Sequence, residues 1–146
     1  MARRIGEVIQ GLEIPVDQVY ASEYCRTMET ARSLGLGPVS ATRSIMNMRA
    51  AEWIGGRQAV IEKARHLLSI PPEKGWNRLF VAHGNLMQAA LGVYTAEMGA
   101  AVIDPRGDGQ LRVVARLDPD AWEALARSRS NHSIDNLRDG ARNSWQ

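Results

Sequence analysis

The stretch that decides the fold runs from Arg78 to Gly92, RLFVAHGNLMQAALG. Arg78 to Ala82 is a compact apolar run with the length of a strand, and Asn85 to Gly92 has the apolar spacing of a helix. His83 and Gly84 join the two. The same pattern stands upstream, where Val16 to Ala21 form a short β-rich run ending at Ser22 and a helical stretch extends from Arg26 to Leu34. Two strand, loop, helix units in one short chain predict an α/β domain with a mostly parallel sheet.

The rest of the chain is read outward from these units. Arg3 to Leu12 has helical spacing, with Ile5, Val8, Ile9 and Leu12 on one face; only Met1 and Ala2 precede it, and neither can cap a helix. Such a start is compatible with a chain entered partway through an element. Gly35, Gly37 and Pro38 end the first unit, and residues 39–56 carry no clear period. Arg57 to Leu68 predicts an amphipathic helix closed by Pro71 and Pro72. Ala100 to Ile103 and Leu111 to Leu117, around Pro105, Gly107, Asp108 and Gly109, predict an antiparallel hairpin at one edge of the sheet. A last short helix is expected from Asp118 or Pro119 through Leu125. The chain thus reads as one domain over 1–126, followed by a polar tail over 127–146, rich in Ser, Asn and Arg and expected to be disordered.

With 146 residues and 45% hydrophobic content, there is material for one core. The net charge of +2 comes from 18 basic residues scattered among 16 acidic ones, so no basic face of the kind duplex DNA requires emerges, and nucleic acid is not expected as a partner. The single cysteine, Cys25, cannot form an internal disulfide. Three widely spaced histidines without a cysteine cluster give no metal framework, and no cofactor is implied. No apolar run approaches the roughly 18 residues of a membrane span, and no signal peptide stands at the start. The localisation is therefore unknown: cytoplasmic as written, exported if a missing N-terminus carried a signal.

Open parallel sheets bind ligands at the carboxyl ends of their strands, where each loop enters a helix whose free N–H groups attract anions. Ser22 and Arg26 follow one strand; His83, Gly84 and Asn85 follow the other. Arg26 offers a permanently charged fork for phosphate oxygens, Gly84 lets backbone approach a ligand, and Asn85 can cap the helix. These residues together point to a phosphate pocket, with Ser22, Arg26, His83 and Asn85 as its phosphate-binding set. A cysteine-phosphatase loop needs Cys and Arg separated by five residues, but the position after Cys25 that would hold the Arg is Ala31, and Arg32 comes one too late. That reading is rejected. His66, in a helix, and His132, in the tail, read as ordinary exposed residues.

Tyr20 to Arg32, YASEYCRTMETAR, resembles the strand-and-helix block of the histidine phosphatase superfamily, also called phosphoglycerate-mutase-like, with Ser22, Arg26, Thr30 and Ala31 at matching positions. Leu79 to Gly92 resembles that family's second histidine block. The order and spacing of the blocks, the Pro-rich link at Ile70 to Glu73 and the closing hairpin are similar to a small bacterial phosphatase subgroup, over roughly residues 3 to 125. The resemblance implies a three-layer α/β/α domain and a metal-independent phosphomonoester hydrolase, in which a first histidine attacks phosphorus and cationic groups stabilise the transferring phosphoryl. Arg26 and His83 match two of those groups. For the acid that protonates the leaving oxygen, the resemblance offers Glu52, by mutase-like spacing, and Glu97, in the acidic stretch after the second block, with Glu97 slightly preferred.

One departure is large. The family's Arg-His-Gly motif, which carries the nucleophile, lies on a first, central strand ahead of the helix that here begins at Arg3, and nothing in the sequence matches it. The chain is thus expected to be inactive alone. Its partner would be a phosphorylated small molecule or inorganic phosphate, and Leu79, Phe80 and Val81 beside an unpaired strand edge would invite self-association. The competing reading is a non-catalytic phosphate-binding or partner-binding module.

Overall fold

A computed structural model describes the backbone of residues 1–142 and side chains through Ser130. It is a mixed α/β structure with two separate sheets, a parallel one of three strands in the order β2-β1-β3 and an antiparallel pair β4-β5. The strands are β1 (Val16–Ser22), β2 (Val39–Thr42), β3 (Asn77–Val81), β4 (Ala100–Gly107) and β5 (Gln110–Leu117). The helices are α1 (Ala2–Gly11), α2 (Cys25–Leu34), α3 (Arg57–Ser69), α4 (Gly84–Leu91) and α5 (Pro119–Arg142). Two short 3₁₀ segments, Arg43–Ile45 and Met48–Trp53, fill the stretch in which no period was visible.

Alternation along the central strands sorts the core into two sides. Val19, Ala21, Leu79 and Val81 pack with Ala31 of α2, and Leu79 and Val81 also reach the cluster of Ile5, Val8 and Ile9 of α1 with Leu34 and Trp122. Phe80 and the adjoining Ala82 turn the other way, toward Ile45, Met48, Val60, Ala64, Leu86 and Ala90 of the 3₁₀ segments, α3 and α4. Side chains of β3 thus pack into clusters with α1 and α2 on one side and with α3 and α4 on the other. The tightest helix contact lies at Gly6 of α1, where a Cβ would fall 1.7 Å from the carbonyl oxygen of Leu34. Only glycine lets α1 sit that close to the end of α2.

Two expectations are corrected. The hairpin does not extend the parallel sheet: β4 and β5 pair only with each other among the described residues, through a turn in which Asp108 and Gly109 both have positive φ, 50° and 76°. That is the two-residue geometry whose twist suits a hairpin. Its placement depends on packing, since Gly109 N–H donates to Ser69 Oγ at the end of α3, 2.9 Å away. The last helix, in turn, does not stop at Leu125. It starts at Pro119, a residue suited to the first helical position, and continues through Arg142, because neither proline nor glycine interrupts it before Gly140. Trp122 anchors its first turns in the core and Arg4 holds Glu123 through two hydrogen bonds of 2.7 and 3.0 Å. The part of the expected tail beyond Arg142 lies outside the described residues.

Candidate phosphate site

The site is built by strand pairing. β1 and β3 are parallel neighbours, with Ala21 opposite Val81, so the residues that leave their carboxyl ends, Ser22 and His83, emerge side by side. Each is followed by a helix: α2 opens at Cys25 and brings Arg26 into its first turn, and α4 opens at Gly84 with His83 as its N-cap. The two units read in the sequence thus converge on one spot, although 57 residues separate Arg26 from His83.

The hydrogen bonds there fix one another's direction. An Arg26 guanidinium nitrogen lies 3.1 Å from His83 Nδ1, and a guanidinium can only donate, so Nδ1 is the acceptor. The ring proton is then on Nε2 and is donated to Ser22 Oγ at 2.7 Å. Ser22, whose lone pair receives it, passes its own proton to Thr27 Oγ1 at 2.8 Å, and Thr27 donates in turn to the carbonyls of Tyr24 and Ser22, at 2.8 and 2.9 Å. His83 is held neutral by this chain. Burial, with the Arg26 charge second, brings its pKa down from the ordinary 6.5 to about 4. Tyr24 packs against both groups: its ring meets the His83 ring edge-on with centroids 4.9 Å apart, and the Arg26 guanidinium sits 5.1 Å over its face.

The expected site residues separate into groups. Arg26 is exposed, whereas His83 is 7% exposed and has both ring nitrogens engaged, so the guanidinium is the group open to an anion. Ser22 is wholly buried and its hydroxyl is engaged on both sides, by Thr27 and by His83. Asn85 does not cap α4. Its amide donates to Asn47 Oδ1 at 2.8 Å and its carbonyl accepts from Met48 N–H at 3.4 Å, which fastens the 3₁₀ segment to the start of α4. Glu52 and Glu97 are both exposed, and neither is bonded to His83 or Arg26. His66 lies in the last turn of α3, beside Arg65, which bonds the carbonyl of Ala90 at the far end of α4 from His83. The side chain of His132 lies outside the described residues. Tyr24 and Thr27 were not foreseen; their place in the first turn of the Arg26 helix was the available signal.

What the arrangement can do follows from its proton inventory. Arg26 uses one nitrogen on His83 and keeps the rest of its fork for an oxyanion. The Nδ1 lone pair is engaged by Arg26, so an anion could contact that nitrogen only if it took a proton and released the guanidinium. Such a contact would couple anion binding to proton uptake by His83. No cluster of three or more His, Cys, Asp or Glu that could hold a metal occurs among the described residues, and no helix there is long and apolar enough to cross a membrane. No family model matches the chain, and no curated protein or solved structure matches it significantly.

Proposed function

We propose that this chain carries the phosphate-holding half of a histidine-phosphatase-type site and that its complete form hydrolyses phosphomonoesters through a phosphohistidine, without a metal. The observation that carries the reading is the convergence of Arg26 and His83 at the carboxyl ends of two adjacent parallel strands, with the imidazole oriented by Ser22. A permanent cation beside a histidine that can be protonated is what a transferring phosphoryl group requires of its surroundings. In this reading the general acid is Glu97 or Glu52, with Glu97 preferred, and the chain alone lacks a nucleophile.

The sheet arrangement supports the same reading. A phosphoglycerate-mutase-like domain of three layers, short of one central strand, would leave helices on both faces of a parallel sheet and a hairpin detached from it. The free edges of β3 and β4 fit that description: residues of β3 (Leu79 and Val81) and of the hairpin (Ala100 and Leu117) pack against one cluster, yet the strands themselves are not paired. In the same cluster the indole N–H of Trp122 is buried without a hydrogen-bond partner among the described residues. An extended segment between β3 and β4 would offer it carbonyls and pair both edges.

The test is complementation. The chain alone should not turn over an aryl phosphate, and adding a peptide with the Arg-His-Gly strand should restore turnover, lost again in Arg26→Ala or His83→Ala. Phosphate binding without rescue would favour a non-catalytic module. Turnover by the chain alone, abolished by His83→Ala, would make His83 itself the nucleophile and overturn this assignment.

A further inference from the structure

We propose that Tyr24 is the positioning residue of the pocket: its ring holds the Arg26 guanidinium within reach of His83 and covers the imidazole beside it. The inference rests on the phosphate reading above for what the pocket binds, whereas the placement of the two groups does not depend on the ligand.

The backbone decides where the ring goes. Tyr24 stands just ahead of α2 with extended backbone, φ −76° and ψ 139°, and its carbonyl accepts from Met28 N–H at 3.0 Å and from Thr27 Oγ1 at 2.8 Å. Buried Thr27 also donates to the Ser22 carbonyl at 2.9 Å, so the loop that leads from β1 into α2 is closed on itself. Its side chain reaches the loop between β3 and α4, where the Tyr24 and His83 rings meet at 76° with centroids 4.9 Å apart. That edge-to-face arrangement is a favoured one for π systems. The helix itself has no need of a tyrosine here, since Tyr24 gives α2 no side-chain cap bond.

Arg26 depends on the same ring. It is exposed and forms no ion pair among the described residues; its partners there are His83 Nδ1 at 3.1 Å and the face of Tyr24, whose centroid is 5.1 Å from the guanidinium carbon. Glu23, in the loop before α2, is turned away to Arg43 at 2.8 Å. A long exposed side chain loses rotamer freedom when held in one geometry, and a π face beneath a guanidinium offsets that loss. For His83, the ring adds to the burial that, together with the Arg26 charge, keeps the imidazole neutral. Both contacts are made by the ring and not by the hydroxyl.

Two readouts test the proposal in the unmutated chain, in Tyr24→Leu and in Tyr24→Phe: NMR titration of His83 without any anion, and calorimetric titration with inorganic phosphate. Tyr24→Leu removes the ring. Phosphate should then bind about two- to fivefold more weakly, the loss of an exposed cation–π contact. His83 should titrate closer to its ordinary 6.5, because its cover is thinned and Arg26 is no longer pinned beside it. Tyr24→Phe keeps the ring and should restore both properties. Should Tyr24→Leu fail to fold, Tyr24→Met, also without a ring, gives the same two readings. A ringless variant with an unchanged His83 titration, or with phosphate affinity unchanged or raised, would overturn the proposal, as would a Tyr24→Phe protein that behaves like Tyr24→Leu. Absence of phosphate binding by the unmutated chain would overturn the phosphate reading instead, and the His83 titration then decides the role of Tyr24 by itself.

Discussion

Acidification should destabilise the protein through His83 in a predictable window. The unfolded chain protonates this histidine near its ordinary 6.5, whereas the folded chain resists until about 4, because burial and the Arg26 charge disfavour the imidazolium. The group's contribution to stability is therefore complete above pH 6.5, falls as the pH drops toward 4, and is flat below. Linkage gives a loss of about 1 kcal/mol by pH 5.5 and about 3 kcal/mol once the pH is below 4. Denaturant melts between pH 7.5 and 4 measure the total, which includes other groups; Glu123, whose carboxyl is held low by its hydrogen bonds to Arg4, also loses its partner in acid. His83→Gln isolates the term, since an amide can accept from Arg26 and donate to Ser22 but does not titrate. The difference between the two proteins should change by these amounts across the window. A difference independent of pH, or one in which the unmutated protein gains stability on acidification relative to the variant, would refute the neutral, Nε2-protonated state of His83. Phosphate should flatten the profile, because a bound anion favours the imidazolium.

Two further outcomes test the packing. Gly6→Ala places a methyl group 1.7 Å from the Leu34 carbonyl oxygen, a clash that rotamer change cannot relieve, and should lower stability by about 3 kcal/mol or more in thermal or denaturant melts; an unchanged midpoint would mean that α1 does not pack on α2 as described. Ser22→Ala removes the acceptor of the buried His83 Nε2–H and should cost about 1–3 kcal/mol in denaturant melts, while Arg26 keeps the Nε2–H tautomer; unchanged stability would show that Ser22 does not hold the imidazole.

Much of the fold and half of the site were legible in the sequence, for local reasons. The two strand, loop, helix units announce themselves because an apolar run of strand length is followed at once by helical spacing, and their parallel pairing places Ser22, Arg26 and His83 together. The 39–56 stretch was opaque because its β2 strand spans only Val39–Thr42 and its 3₁₀ segments are held by contacts remote in sequence, such as the Asn47–Asn85 bond. The same non-locality hid the role of Asn85, whose side chain faces a partner 38 residues away rather than its own helix end. Tyr24 and Thr27 were missed because their contacts depend on the path of one short loop. The length of α5 was underestimated from its polarity, although Pro119 and the absence of a breaker before Gly140 were there to be read.

The central claim is that Arg26 and His83 form an oxyanion pocket, and calorimetric titration with phosphate or tungstate in two buffers of different ionisation enthalpy tests it most directly. The account predicts weak binding with net proton uptake near neutral pH, abolished by Arg26→Ala. Binding unchanged in that variant, or no binding by the unmutated chain, would contradict it.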